Sequence, residues 1–406
     1  MVLPSNIVVA DSMPPRPHET ELAGRVSPKS VTNLRKVCLI SSVHPPFDIR
    51  IYEKEAKSLL AEGYDVTIVA PYQGDKRSHD VKVRSIPPSK SRRERMTRTI
   101  WRVFETARQV DAFVYHFHDP ELIPVGLLLK LIGKRVVYDV HEDVPLSILD
   151  KDWIYVCLRT PLAKAVGIGE GLSVKMFDGI IAATPAIARR FPQRKTCVVQ
   201  NYPHCDRIRD PEAPPYLERE AICVYLGLIT ALRGTREMIG ALSLLPESLG
   251  VRLALAGAFD PPEYEQILMD SSGWQRVAFQ GWLGRPEVAK LLGKARVGLV
   301  LHPPNGHSLE SKPIKLFEYM AAGLPVVVTD VPFWREIVSS ADCGLLVDPL
   351  DQHAVADAIR WLFQHPREAE AMGQRGAEAV RTKYSWGFEE EKLLGLYAQL
   401  TNRHRR

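Results

Sequence analysis

Two carboxylates eight positions apart, Glu310 and Glu318, flank two lysines, Lys312 and Lys315, in the stretch ESKPIKLFEYMAAGLPVVVTD. The stretch reads as a loop, a short helix, a sharp stop and a buried strand. Ser311 can cap the helix, Pro313 is tolerated in its first turn, and Gly323 with Pro325 supplies the stop. Pro325–Thr329 is β-branched on both faces, the pattern of a parallel strand covered on both sides. A helix opening beside such a strand end presents backbone N–H groups and the positive end of its dipole, and the two lysines add full charges. A diphosphate suits that surface. Glu310 in the loop could meet sugar hydroxyls ahead of the phosphates, and Glu318 in the helix could meet ribose hydroxyls behind them. A solvated helix carboxylate is the plainer reading of Glu318.

A second constellation lies upstream. In DAFVYHFHDPELIPVG and RVVYDVHEDVP, His116, His118, Asp119 and Glu121 follow one strand end, while His141, Glu142 and Asp143 follow the next. An H-x-H after a strand with a further His and carboxylates is also how metallohydrolases assemble a divalent site, so a metal-dependent hydrolase using His116, His118 and His141 is a rival reading. A histidine satisfied inside the core is another, for His116 above all. Asp48 and Arg50 place one charge of each sign after the first strand, where open α/β sheets bind ligands; a structural ion pair holding that loop explains them equally well. The D-x-D at Asp150 and Asp152 sits in a polar break and reads as chance.

These residues need a frame. At 406 residues the chain is long enough for two domains. KVCLIS, a helix with Ile51, Ala56, Leu59 and Leu60, and DVTIVAP form a βαβ unit, and strands alternate with helices up to CVVQNYP. HCDRIRDPEAPPYLERE, with three prolines among charges, is a linker. A second βα series starts at Ala221: ICVYLGLI, ALRGTREMIGALSLL, VRLALAG, VAFQGWL, PEVAKLLGK and VGLVLHPP. The expected fold is α/β, with two Rossmann-like doubly wound domains: a disordered extension over 1–33, an N-terminal domain over 34–205, a linker over 206–220, a C-terminal domain over 221–385 and a crossover helix over 386–406 packing back on the first domain. Gly227 ends a strand and Arg233-Gly234 opens the next helix, which makes a guanidinium fork for a diphosphate.

The pattern Glu310-x7-Glu318 continued as EYMAAGLPVV, with GLLVDPLDQHAVADAIRWL, MGQRG and KYSW behind it, resembles the donor site of retaining GT-B glycosyltransferases of family 4 type (glycosyl transferases group 1). HDPEL and YDVHE resemble the acceptor cleft of a bacterial surface-polysaccharide subgroup. The resemblance runs from about Lys36 to the chain end and implies the two-domain GT-B fold, with the donor on the C-terminal domain and the acceptor on the N-terminal one. It implies a hexosyltransferase-like enzyme that moves a sugar from a nucleotide-diphosphate sugar to a hydroxyl of a saccharide or lipid-linked acceptor in polysaccharide biosynthesis. His141 and Glu310 are then catalytic, and Gly227, Arg233, Lys312, Lys315 and Glu318 bind the donor. Asp48, Arg50, His118 and Asp119 bind the acceptor. No metal or other cofactor is implied, the nucleotide sugar being a co-substrate. The family more often has Lys before the glycine corresponding to Gly234 and Arg directly after Gly227; here Arg233 and Leu228 stand there. A GT-B epimerase would share the donor site but need no acceptor, and a non-catalytic binding subunit would never turn over.

The net charge of +5 decides no partner class. Residues 89–109 interleave Met96, Ile100, Trp101, Val103 and Phe104 with arginines, the composition of a membrane-surface helix or of a basic face packed on the sheet. No nucleic-acid-binding pattern accompanies them. Six cysteines without CxxC or zinc spacing suit a reducing compartment. No run approaches the roughly 20 apolar residues of a membrane span, and the N-terminus lacks signal-peptide character. The expectation is a cytoplasmic protein, with peripheral contact on the inner face of the plasma membrane through 89–109.

Overall fold

The computed structural model describes residues 35–73, 80–149, 151, 154–303 and 313–402. The expected extension, Asp150 and Asp152, and the loop carrying Glu310, Ser311 and Lys312 lie outside the described residues. Strands β1 (Lys36–Ile40), β2 (Asp65–Pro71), β3 (Lys82–Ile86), β4 (Val114–Phe117), β5 (Arg135–Val140), β6 (Gly179–Ala182) and β7 (Thr196–Val198) form one sheet. Its order is β3-β2-β1-β4-β5-β6-β7, and every pairing is parallel. The second sheet is built from β8 (Ile222–Leu226), β9 (Arg252–Ala256), β10 (Val277–Gly281), β11 (Val297–Val300), β12 (Val326–Thr329) and β13 (Gly344–Val347). It is parallel too, in the order β10-β9-β8-β11-β12-β13. Both orders reverse direction beside the first strand of the unit, the switch point at which doubly wound sheets bind ligands. The architecture is the two-unit Rossmann-like α/β arrangement expected from the sequence.

The central strands are buried on both faces. Val37 to Ile40 and Val326 to Val328 are without exposed surface, and helices cover each sheet from either side, as parallel strands require. Strand β3 has no counterpart in the sequence reading, and its residues Lys82, Arg84 and Ser85 are only half covered or exposed, as befits an edge. ELIPVG, read as strand, instead begins the Ile123–Leu131 helix.

The last helix, Trp386–Asn402, leaves the second unit and packs on the first. Trp386, Leu393, Leu396, Tyr397 and Leu400 share a core with Val37, Ile51, Ile68 and Val114, and the Trp386 indole N–H donates to Ser58 Oγ at 3.0 Å. Each such apolar side chain stabilises the docking by about 1.5–3 kcal/mol. Tyr202 bridges the units from the other side, its ring 4.8 Å from that of Phe317.

Candidate functional site

On the second unit the site is built around the end of β8. Gly227 follows the strand with φ +116, and a Cβ there would stand 3.3 Å from Lys315 Nζ. Lys315 comes from the first turn of the Ile314–Ala321 helix, which Gly323 terminates at φ +74. Its ammonium lies 3.9 Å from the Tyr225 ring centroid. Burial and the nearby Arg233 hold its pKa well below the usual lysine range. Arg233 closes a turn before Gly234, and a Cβ on Gly234 would meet the Leu301 carbonyl oxygen at 1.7 Å, so that glycine fixes where the guanidinium stands. Arg233 Nη1 approaches both ring nitrogens of buried His302 at 3.4 Å, and burial with Lys315 and Arg233 pushes that imidazole down to about 2. Among the described residues, neither Arg233 nor Lys315 is paired with a carboxylate. A concave wall with two cations and a neutral imidazole at a parallel-sheet edge is made for an anion.

Glu318 is largely buried, and its Oε1 accepts from Arg285 Nη1 at 2.7 Å. Arg285, the first residue of the Arg285–Lys294 helix, did not emerge from the sequence. Leu228, where the family more often has Arg, is exposed, and its carbonyl accepts from Tyr225 Oη at 2.7 Å.

On the first unit, the residues expected to meet an acceptor are mostly turned inward. Asp48 caps the following helix, accepting from the N–H groups of Arg50 at 2.8 Å and Ile51 at 3.1 Å. Asp119 pins the loop after β1, taking Ser41 Oγ at 2.8 Å and the Ser42 N–H at 2.6 Å. Arg50, 3% exposed, donates through Nε and Nη2 to Asp139 at 2.8 and 3.0 Å and through Nη2 to the Val199 carbonyl at 3.1 Å. The structural ion pair is therefore the arrangement the chain adopts for Arg50.

Around that pair lies a sealed cluster. Glu55, His116, His118 and Asp139 are all buried, with one ligand-type atom each within 4.8 Å of the others. Glu55 Oε1 stands 3.0 Å from Arg50 Nε and Glu55 Oε2 3.5 Å from His118 Nε2. Tyr397 Oη from the last helix sits 2.9 Å from His116 Nδ1. Burial would raise Asp139, but Arg50, then His141, then the imidazoles of His116 and His118 hold it well below the carboxylate range. Burial and the Asp139 charge push Glu55 well above it. Burial lowers both His116 and His118. Asp139 is the carboxylate that balances Arg50, and burial disfavours charge on Glu55 and on both imidazoles. A divalent cation fits this set poorly, because Arg50 already approaches both carboxylates within 3.0 Å.

His141 is the member of this network that reaches the surface, with a quarter of its side chain exposed. Its Nε2 lies 3.2 Å from Asp139 Oδ2 and 3.3 Å from His118 Nδ1. Two buried groups thus hold the ring by one nitrogen and leave Nδ1 for a ligand. His44, 5.9 Å away ring to ring, shares that surface.

Lys54 ties the two walls together. It is 2% exposed, its Nζ donates to the Asn201 carbonyl at 3.2 Å, and the charges of Glu318 and Arg285 on the other unit reach it. Burial, then Arg50, lower its pKa to about 7. A lysine depressed from 10.5 to about 7 on folding binds fewer protons in the native than in the unfolded chain between those values, so stability rises with pH across that window. Below pH 7 the fold bears the full cost of a buried charge. Lys54→Met is expected to raise the melting temperature at pH 6 and to flatten its rise between pH 7 and 10; an unchanged slope would show that Lys54 does not titrate there.

Comparisons with known proteins bear on the family and the fold. Residues 51–201 match the family described as glycosyl transferase 4-like domain and residues 206–379 the family glycosyl transferases group 1. Over 147 residues the chain is 38% identical to the phosphatidyl-myo-inositol mannosyltransferase of Mycobacterium leprae, covering 36% of this chain and 37% of that protein. Over 146 residues it is 30% identical to the lipopolysaccharide glucosyltransferase WaaG of Escherichia coli, covering 35% and 37%. The chain thus spans well under half the length of these relatives. A sucrose-phosphate synthase from Thermosynechococcus elongatus superimposes with TM-score 0.71 at 20% identity, covering 91% of this chain and 100% of that one. HepE of Anabaena, solved with UDP and glucose, does so with TM-score 0.68 at 14% identity, covering 90% and 100%. These two establish the fold, and the sequence matches carry the kinship further. The chain belongs to the GT-B glycosyltransferases of family 4 type.

Proposed function

We propose that this chain transfers a sugar, with retention, from a nucleotide-diphosphate sugar on the C-terminal unit to a hydroxyl of a saccharide or lipid-linked acceptor on the N-terminal unit, in polysaccharide biosynthesis. The observation that carries the reading is the pair of basic side chains near Gly227, Arg233 and Lys315, neither with a carboxylate partner among the described residues. Breaking the anomeric bond leaves negative charge on the β-phosphate. Arg233, Lys315 and the N-terminus of the Ile314–Ala321 helix with Lys312 stabilise it, with no metal or other cofactor called for. A diphosphate would also favour the charged form of Lys315, which burial disfavours. Glu318, held through Oε1 by Arg285, offers Oε2 to the ribose. His141, fixed from behind by Asp139 and His118, meets the sugar or the incoming hydroxyl, and Glu310 is the carboxylate assigned to the sugar hydroxyls. Positive charge develops on the ring at the same moment, and front-face attack by the acceptor needs no enzyme nucleophile.

UDP and glucose in HepE of Anabaena and the lipid acceptor named for the Mycobacterium leprae relative support this class of donor and acceptor. A lipid-borne acceptor would bring the chain to the cytoplasmic face of the plasma membrane, with Met96 exposed on the Arg95–Thr99 segment and Trp101 on the Ile100–Arg108 segment as one contact. The rest of that segment packs inward through Val103, Phe104 and Ala107. Among the described residues no helix is long and apolar enough to cross a membrane.

Thermal-shift titration with UDP, GDP, ADP and dTDP tests the donor half. One nucleotide at 100 times its Kd should stabilise the protein by about 2.7 kcal/mol, and its sugar derivative should release nucleotide faster when acceptor is added. No shift with any of the four would refute the proposal.

A further inference from the structure

The helix Val156–Ser173 is amphipathic the wrong way round for a core helix. Ala163, Glu170 and Val174 face the protein, while Leu158, Leu162, Ile168, Leu172 and then Met176 fall on the opposite third of the helix circumference at 3.6 residues per turn. All five are exposed, Ile168 at 65% and Leu172 at 59%. The acid in this stretch, Glu170, is turned inward, accepting from Tyr138 Oη at 3.0 Å and Arg190 Nη2 at 2.6 Å. Lys164 and Lys175, eleven positions apart, line one edge of the apolar stripe and are exposed. The preceding helix, Val144–Leu149, adds exposed Leu146 and Leu149 only a few residues beyond His141.

We infer that this face is a membrane-docking surface whose partner is an anionic lipid bilayer. An apolar stripe edged by lysines, with its acid withdrawn, matches a headgroup layer of negative charge over hydrocarbon. A protein partner of mixed charge would leave no reason for the one-sided balance. The segment between β5 and β6 that carries the stripe also carries His141 at its start, so a docked chain presents the acceptor wall to the lipid surface. This deepens the reading of a lipid-linked acceptor and adds to residues 89–109 a larger contact, built on different side chains.

Flotation of the full chain with vesicles tests it without donor or acceptor. Wild type should float with vesicles of one-third phosphatidylglycerol in phosphatidylcholine and hardly with phosphatidylcholine alone. The double variant Ile168→Asp/Leu172→Asp should lose at least about 10-fold in partitioning. Lys164→Glu/Lys175→Glu should lose binding only to the anionic vesicles. Both pairs are exposed, so melting temperature and nucleotide-induced shifts should match wild type. Equal flotation of the Asp double variant and wild type would overturn the assignment. So would loss of flotation through Trp101→Asp alone, or a concentration-dependent dimer that Ile168→Asp/Leu172→Asp dissolves. Vesicle binding without any nucleotide shift would instead sink the transfer reading and leave the surface standing.

Discussion

Arg233→Ala is expected to lower acceptor-dependent nucleotide release by about 10²–10³-fold, the usual cost of removing one preorganised donor from a developing negative charge. The size follows from placement. A side chain at Gly234 would strike the Leu301 carbonyl, so the turn that carries Arg233 packs closely on that strand end, and a guanidinium placed there before the donor arrives needs little reorganisation as the β-phosphate takes up charge. Lys315 is a poor replacement, since burial and the neighbouring Arg233 disfavour its charge in the empty site. Arg233→Lys should recover only part of the rate, because an ammonium cannot form the two-pronged contact of a guanidinium. The family more often carries Arg directly after the strand-ending glycine, and here Leu228 stands there, exposed, on a backbone anchored by Tyr225. Leu228→Arg in the Arg233→Ala background should therefore restore nucleotide affinity measurably. Calorimetry and steady-state kinetics on the single and double variants check this; an Arg233→Ala protein with wild-type kcat/KM would remove the cationic wall from the mechanism.

How far the sequence carried this site depends on whether a residue's partner lies near it in the chain. The Ile314–Ala321 helix and its stop at Gly323 were legible because apolar period and glycine are local. So was the start of the last helix near Trp386. Gly227, Arg233 and Lys315 meet because each marks the end of a strand or the start of a helix, which the βα alternation already implied. The acceptor wall was not legible in the same way. Asp139 sits inside a strand and Glu55 inside a helix, and only the order β1-β4-β5 brings them together. Arg50 and Glu55 are also misplaced by a 3.6-residue period. The Ile49–Ala56 turn is π-helical, so positions five apart stack and the two charges meet on one side. Lys54, Arg285 and His302 had no local signal except a charge or ring beside a strand or helix end.

Arg50→Ala should have the largest effect on stability. It leaves Asp139 charged and fully buried, and breaking such a pair costs about 3–5 kcal/mol, a fall of roughly 10 °C in the melting of a unit this size. The pH dependence identifies the cause. In wild type the depressed carboxyl of Asp139 contributes stability above its unfolded pKa and loses it as pH falls through the folded one. Without the guanidinium, burial works on Asp139 against only His141 and the imidazoles of His116 and His118, so its carboxyl rises and the variant should lose less stability at pH 5 than at pH 8. Arg50→Met with Asp139→Leu removes both charges and should recover much of the loss, although His141 then lacks its anchor and transfer should stay impaired. Nucleotide binding by the C-terminal unit should persist in the double variant, which separates damage to the acceptor wall from loss of the donor site. Melting curves at the two pH values decide the matter: an Arg50→Ala protein that melts within about 1 °C of wild type at both would mean that water, and not Asp139, balances the guanidinium.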